Sequence, residues 1–320
     1  MNPRLLILLA LALAAAASLL LPWQSLASLF EADPGLGWAL LIELRLPRTA
    51  LALVYGATLG AAGAAIQALF ANPLASPDLT GTTSGAALGA VVTAYLVGAA
   101  GALAMAAGAV LGAAGSLALL IALAGRRADT STLLLAGLAI SALAGALTTL
   151  ALALAPSPFA FYDAYSWLMG SLVDRSLVQL AFAAVPAILV IAALARLSLP
   201  LDRLALGEEV VESMGHDLAR LRLAIICLSA LGVGACVAIC GAIGFIGLIA
   251  PVFARRLTAG HPGRAILPAA VVGALLLCLA DLVSRLAPLG RTLPVGVVTA
   301  LVGAPFFLWL VLRMRWTVRA

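Results

Sequence analysis

The sequence predicts an all-α membrane protein, a polytopic bundle of about ten transmembrane helices in a single domain that covers residues 1–320. The mean hydropathy of +1.19 excludes an ordinary soluble domain. Apolar runs of about 17 to 25 residues recur along the chain, which is the length that crosses a hydrocarbon core of roughly 30 Å. These runs do not alternate with period two, so a transmembrane barrel is not indicated.

The first apolar run follows Arg4 directly and extends from Leu5 to Leu21. A signal peptide is the alternative interpretation, but the run is long for one and no clear small-residue cleavage site follows it. We therefore interpret it as the first span. The eighth span is too short to cross fully unless neighbouring protein covers its ends. The predicted spans are roughly 4–22, 48–70, 85–99, 101–124, 131–154, 177–197, 222–242, 244–257, 265–286 and 294–313.

The distribution of arginine predicts the orientation of the spans. With the N-terminus inside, 13 of the 18 basic residues fall on inner segments. Such an excess marks the cytoplasmic side. We expect a multi-pass membrane protein with both termini in the cytoplasm. The five outer arginines are Arg45, Arg48, Arg175, Arg285 and Arg291.

The chemistry-bearing residues argue against an enzyme. All 18 basic residues are arginine, so a phosphate-binding loop that ends in Gly-Lys-Ser/Thr is excluded. If ATP drives this protein, another chain must bind it. The four cysteines lie inside apolar runs, where packing is favoured over a metal pair, and no zinc-ligand spacing occurs, so we expect no metal site. The net charge of +5 reflects arginines at span ends and does not indicate nucleic-acid binding.

Two places break the helical pattern inside or beside spans. The segment ANPLASPDLTG, from Ala71 to Gly81, contains Asn72, Pro73 and Pro77. Both prolines interrupt helices, so the segment is either a turn between spans two and three or an element that lines a transport pathway. Asp281 lies inside span nine, four residues before Arg285, where an ion pair and a functional carboxylate are both possible.

The stretch LALGEEVVESMGHDLARLR, from Leu204 to Arg222, is charged and amphipathic in an otherwise apolar chain. Gly207 and Gly215 can divide it into short helices. Its apolar residues share one face, which fits a groove on a partner protein. A helix on the membrane surface is the alternative, but the polar face of such helices is usually basic and this one begins acidic. The predicted apolar face comprises Val210, Val211, Met214 and Leu218.

Several motifs, in order, resemble the FecCD-type permease subunits of ABC importers for ferric siderophores, haem and vitamin B12. The longest is RLPRTALALVYGATLGAAGAAIQALFANPLASPDLTGTTSGAALGA, which starts at Arg45. The others are STLLLAGLAIS, WLMGSL, LALGEEVVESMG, GAIGFIGLIAP and LPVGVVTALVGAPFFLWLVLR. The sequence departs from the family pattern at Val252, where histidine is usual, and at Thr292, where glutamate is usual. Those two departures put the roles of the corresponding side chains in doubt.

The resemblance implies a ten-helix permease that forms a homo- or heterodimer and works with two cytoplasmic ABC ATPases and an extracytoplasmic binding protein. ATP and Mg belong to the ATPases, and no cofactor is expected on this chain. The implied cargo is a ferric siderophore or a related metal chelate such as haem or cobalamin. The alternative is an ion-gradient-driven secondary transporter, for which Asp281 is the candidate carboxylate.

The resemblance also assigns roles to particular residues. A coupling segment at about 198–221 is implied to dock on the ATPases, and its residues are Leu204, Leu206, Gly207, Glu208, Glu209, Val211, Met214 and Gly215. The arginines implied to dock the binding protein are Arg45, Arg48 and Arg285, for which interfacial anchoring is the alternative. Thr130 and Ser131 are implied to form a cytoplasmic gate, although either residue also suits the N-cap of span five.

Overall fold

The computed structural model describes residues 3–96, 101–125, 130–215, 217–286 and 293–317, and within these ranges the chain is helical with short turns. Two other helical elements occur, a π-helical stretch at Leu40–Arg45 and a 3₁₀ turn at Pro77–Thr80. The helices in chain order are α1 Pro3–Leu20, α2 Trp23–Ala32, α3 Pro34–Ala39, α4 Leu46–Leu69, α5 Thr82–Leu96, α6 Ala102–Ala124, α7 Thr130–Ala153, α8 Pro158–Leu168, α9 Leu177–Arg196, α10 Ser198–Leu204, α11 Glu208–Ser213, α12 Leu218–Cys240, α13 Ile246–Leu257, α14 Ile266–Leu286 and α15 Val295–Thr317.

Eight helical segments among the described residues are long and apolar enough to cross a membrane. They are α1, the continuous segment Pro34–Leu69, α6, α7, α9, α12, α14 and α15, and each corresponds to a predicted span. The other two predicted spans correspond to α5, with 15 residues, and α13, with 12. At 1.5 Å per residue the described part of α5 extends over about 22 Å and α13 over about 18 Å. The predicted helical bundle is confirmed, with eight segments among the described residues that are long enough to span a membrane.

Helix α4 lies at the centre of the bundle, and its closest neighbour is α14. The two backbones touch: a Cβ atom added at Gly56 would lie 2.3 Å from the carbonyl oxygen of Gly273. One added at Gly60 would lie 2.0 Å from the carbonyl oxygen of Ala269. Without a hydrophobic drive between helices in lipid, small residues of this kind permit the close packing that holds helices together.

A second glycine contact joins α5 to α6. A Cβ atom at Gly89 would lie 2.1 Å from the oxygen of Gly108, and one at Gly112 would lie 2.1 Å from the oxygen of Gly85. The glycines of each helix are spaced by four, so they share one face and let the backbones approach closely. The two glycine contacts fix the pairs α4–α14 and α5–α6.

Candidate transport and coupling sites

The N-terminal end of α4 and the C-terminal end of α14, on the predicted outer side, meet at a buried carboxylate. Asp281 is fully buried, and its Oδ1 lies 2.8 Å from Nη2 and 2.9 Å from Nε of Arg48. Its Oδ2 lies 3.0 Å from Nη2 of Arg285, one turn further along α14. The ion pair that the sequence spacing permitted is therefore present, and Arg48 is a second partner.

Two arginines also bind the end of α1. Arg45 Nη1 donates to the carbonyl of Leu19 at 2.9 Å, and Arg285 Nη1 donates to the carbonyl of Ser18 at 2.9 Å. Ser18 also pairs through its hydroxyl with Thr49, at 2.7 Å. Carbonyls at the end of a helix have no hydrogen-bond donor within that helix, so the arginines supply donors to the last carbonyls of α1.

The three arginines implied to dock a binding protein thus come together, and we call Arg45, Arg48, Asp281 and Arg285 the outer arginine cluster. It carries three positive charges and one negative charge. Each guanidinium already has a partner inside the chain, so the cluster also anchors α1, α4 and α14 to one another. Docking by these residues stays a prediction.

The segment with Asn72, Pro73 and Pro77 forms a turn packed between helices. The Asn72 side chain accepts from the amide of Leu74 at 2.9 Å, which closes the turn. Pro77 is buried and faces Gly247 of α13. On the other side Gly137 of α7 approaches the backbone of the 3₁₀ turn. Protein therefore covers this irregular backbone, as its position beside the membrane requires, and a pathway role for the segment stays a prediction.

Asp78 is the acidic residue of that turn. Its Oδ1 accepts from the Thr83 hydroxyl at 2.8 Å, and its backbone carbonyl lies 3.4 Å from the hydroxyl of Ser141. Burial raises the pKa of the Asp78 carboxyl, and the Thr83 hydrogen bond opposes that rise.

A second irregular turn follows α12 and depends on Tyr55, which sequence reasoning did not select. The Tyr55 hydroxyl donates to the carbonyl of Gly241 at 3.1 Å and accepts from the amide of Ile243 at 3.3 Å. Phe245, the last residue of this turn, has a φ of 67°. Tyr55 is fully buried. A tyrosine in the middle of an apolar span was the available signal, because a buried hydroxyl needs a partner.

Beside this turn lies an open cavity of about 570 Å³. Met169 and Ala242 line one side, and residues of α15 from Gly296 to Pro305 line the other. The walls are mainly apolar.

The coupling segment forms α10 and α11 with a turn between them. Gly207 has a φ of 110° and Gly215 a φ of 83°, which are conformations that favour glycine. The predicted division into short helices is therefore confirmed. Glu208 begins α11 and forms an ion pair with Arg222 of α12, which fastens α11 to the bundle.

The predicted single apolar face of this segment is wrong. Val211 and Leu218 are buried against the bundle, whereas Val210 and Met214 are exposed. Val210 and Val211 are neighbours in α11 and lie about 100° apart around it, and the non-helical backbone at Gly215 ends the helical spacing before Leu218. Of the remaining predicted residues, Leu204 is buried and Leu206, Glu208 and Glu209 are exposed. The exposed apolar set, which we call the coupling surface, comprises Leu206, Val210 and Met214.

Asp202 of α10 was not selected from the sequence either. Its Oδ1 accepts from the amide of Gly263 at 2.7 Å and from that of Arg264 at 3.4 Å. These amides belong to the turn that leads into α14. Backbone amides leave no signature in a sequence, so this contact could not be predicted from the sequence.

Helix α7 begins at Thr130, so the implied gate residues Thr130 and Ser131 occupy its first two positions. Ser131 is exposed. The preceding residue lies outside the described part of the chain, and so does Thr292. Val252 lies in α13 directly after the buried Pro251 and is partly exposed.

The protein-family comparison decides the assignment. Residues 4–313 match the model of the FecCD transport family. The chain belongs to the FecCD transport family. The match covers every helix of the bundle, including the coupling segment and the outer arginine cluster.

Relatives and a solved structure agree with this assignment. The chain is 40% identical over 295 residues to the vitamin B12 import system permease protein BtuC of Vibrio cholerae, covering 89% of this chain and 86% of that one. Its identity to BtuC of Salmonella typhi is 40% over 276 residues, covering 85% and 83%. A metal-chelate type ABC transporter solved in an inward-facing conformation is 32% identical with a TM-score of 0.86, covering 97% and 99%. PsaBC from Streptococcus pneumoniae, at 20% identity and a TM-score of 0.53, shares the fold.

Proposed function

We propose that this chain is the permease subunit of an ATP-driven ABC importer that carries a metal chelate across the cytoplasmic membrane. The observation that carries the proposal is the 40% identity, over 89% of the chain, to permeases named for vitamin B12 import. The proposed complex contains two permeases, two cytoplasmic ATPases and an extracytoplasmic binding protein, with both permease termini in the cytoplasm.

The coupling surface supports the division of labour between chains. Without lysine, the chain cannot form a phosphate-binding loop of the Gly-Lys-Ser/Thr type, so ATP and Mg are assigned to the partner ATPases. Leu206 lies in the turn before α11 and Met214 directly follows α11, both have at least half of their surface exposed, and the charged residues of α11 are all acidic. An apolar helix face of this kind fits a groove on a partner protein.

The outer arginine cluster supports docking of an acidic binding protein. Its excess of positive charge lies on the side that is otherwise poor in arginine. Arginine recognises carboxylates with paired hydrogen bonds, and long-range attraction speeds the encounter. The permease then needs no tight cargo site, in agreement with the apolar cavity beside α15.

The ion-gradient alternative depended on Asp281 as a free carboxylate. The structure instead holds Asp281 between Arg48 and Arg285, with no exposed surface. A carboxylate held by two guanidinium groups and closed to water is a poor proton or sodium carrier. The geometry favours the importer.

A corrinoid such as vitamin B12 is the first cargo to test, because the similar permeases are named for it. Ferric siderophore and haem are the other two cargoes to test. We would reconstitute the chain with its ATPase and binding protein in proteoliposomes and offer all three cargoes, labelled, in parallel. Uptake of one cargo that requires both ATP and binding protein is the expected result. Uptake driven by an ion gradient without the ATPase would refute the proposal.

A further inference from the structure

The coupling segment is tied to one particular helix of the bundle. Asp202 of α10 places Oδ1 2.7 Å from the amide of Gly263, and its side chain is only 13% exposed. Gly263 lies so close to α10 that an added Cβ atom would be 1.9 Å from the carbonyl oxygen of Ser198. This approach brings the backbone amides of the turn within reach of the carboxylate.

The turn that Asp202 holds is the start of α14. The amide of Ile266, the first residue of α14, donates to the carbonyl of Gly263 at 3.2 Å. On the other side, the Thr258 hydroxyl donates to the carbonyl of His261 at 3.1 Å. These two hydrogen bonds stabilise the turn internally. A displacement of its amides is therefore transmitted to α14.

Helix α14 then runs without interruption to the outer arginine cluster. Its 21 residues extend over about 31 Å. Asp281 and Arg285 lie near its outer end, and its middle is in backbone contact with α4 at Gly56 and Gly273. One stiff helix therefore joins the proposed docking site outside to the coupling segment inside.

We propose that Asp202 is a positioning residue for energy coupling, which fastens the coupling segment to α14 so that the two move together. The inference rests on the proposed function. When an ATPase displaces α10, the bonds from Gly263 and Arg264 carry the start of α14 with it. Without them α10 moves alone, and ATP is hydrolysed without cargo movement.

The hydrogen bonds from the backbone amides to Asp202, rather than the charge of Asp202, carry this role. Arg264 approaches Asp202 at 3.5 Å, but its side chain is largely exposed, and exposed pairs contribute little. Asparagine keeps one acceptor oxygen for the amide of Gly263, whereas alanine removes it. Asp202→Asn is therefore the conservative variant, and Arg264→Gln tests the ion pair alone.

The experiment compares the number of cargo molecules taken up per ATP hydrolysed in proteoliposomes that contain the full complex. We expect Asp202→Ala to lower this ratio about fivefold or more, in the range of ordinary coupling free energies. Asp202→Asn and Arg264→Gln should stay within about twofold of wild type on the same scale. A ratio for Asp202→Ala equal to wild type overturns the inference, and so does an equal loss in Asp202→Asn.

A second measurement does not depend on the folding of a variant. In the wild-type complex, the amides of Gly263 and Arg264 should stay protected from hydrogen exchange with and without ATP. Free exchange in either state overturns the inference. If the wild-type complex shows no ATP-dependent uptake, the proposed function itself fails, while normal uptake with unaltered coupling in Asp202→Ala removes only the role of Asp202.

Discussion

Arg48 of α4 and Asp281 of α14, 233 residues apart in sequence, form a two-point contact in which Nε and Nη2 of the arginine face the same carboxylate oxygen at 2.9 and 2.8 Å. Asp281 has no surface exposed to solvent. A buried carboxylate is tolerated because two guanidinium groups compensate its charge. The contact fixes α4 against α14 at their predicted outer ends. The glycine contact fixes the same two helices in the middle.

Removal of Asp281 should therefore destabilise the protein strongly. Asp281→Ala leaves Arg48 and Arg285 without their shared counterion, at a cost of about 3–5 kcal/mol. The measurement is the thermal unfolding midpoint of the purified protein in detergent. Asp163→Ala, which removes an exposed carboxylate on α8, is the control and should leave the midpoint almost unchanged. Equal midpoints for the two variants would contradict the proposed anchoring role.

The glycine contact between α4 and α14 predicts the result of adding one methyl group. In Gly56→Ala the new Cβ atom would lie 2.3 Å from the oxygen of Gly273, so the backbones must separate, at a cost of about 1–3 kcal/mol. Gly115→Ala in α6 is the matched control, since no atom lies within 4 Å of its added Cβ. The control should be neutral or stabilising by up to about 1 kcal/mol. The readout is again the unfolding midpoint, and a neutral Gly56→Ala would show that the two helices are further apart.

The conformation of Gly207 predicts loss of coupling on substitution. Gly207→Pro forces φ from 110° to about −65° and removes an amide that donates to the carbonyl of Leu204 at 3.1 Å. We expect transport-coupled ATP hydrolysis to be abolished while the permease dimer still assembles. Gly101→Pro is the control, because Gly101 already has a φ of −68°. Normal coupled turnover in Gly207→Pro would refute the assignment of the coupling segment.

Docking of a binding protein is best tested at Arg45, whose partners inside the chain are backbone carbonyls, whereas Arg48 pairs with the buried Asp281 carboxylate. Arg45→Glu should weaken binding-protein affinity by about 1.5–3 kcal/mol, equivalent to tenfold or more. The remaining affinity should depend less on salt, because one charge pair is lost. The measurement is binding to the reconstituted permease at two ionic strengths. Arg220→Glu changes an exposed arginine on the predicted cytoplasmic face and should leave the affinity unaltered. Equal affinities for both variants would rule out docking at Arg45.

The gate assignment predicts cross-linking across the dimer axis. In a background without the native cysteines, Thr130→Cys and Ser131→Cys should form intermolecular disulfides in at least one nucleotide state, since a gate brings the two copies within disulfide reach. Thr149→Cys, towards the opposite end of α7, is the control and should not follow the nucleotide in the same way. The assay is the dimer band on a non-reducing gel. Absence of cross-linking in every state would end the gate assignment.

Much of this architecture could be predicted because the membrane imposes it. Hydrocarbon thickness sets span length, so the eight long helices were predictable from hydropathy. Glycine recurrence at every fourth residue favours close helix packing, and the α5–α6 contact has this pattern, but the pattern does not identify the partner helix. The pairing of Asp281 with Arg285 followed from helical spacing, because residues four apart share a face.

The remaining contacts depend on partners that are distant in sequence. Nothing local links Arg48 to Asp281, and the amide of Gly263 is chemically the same as any other backbone amide. The failure at the coupling segment has a different cause. Helical periodicity assigned Val210 and Val211 to one surface, but neighbouring residues lie about 100° apart around a helix, and the bundle covers only the Val211 side of α11.

The bonds from Arg285 to α1 have a consequence for biosynthesis. Ser18 lies 267 residues before the arginine that binds its carbonyl. At about 5–20 residues per second, roughly 13 to 53 seconds separate their synthesis. During that interval the first helix rests in the bilayer with the carbonyl of Ser18 lacking its final donor. The last segments of the chain therefore complete the contacts of the first, and in a nascent permease that stalls before α14 the end of α1 has its contacts with Arg45 and Thr49 but lacks the one with Arg285.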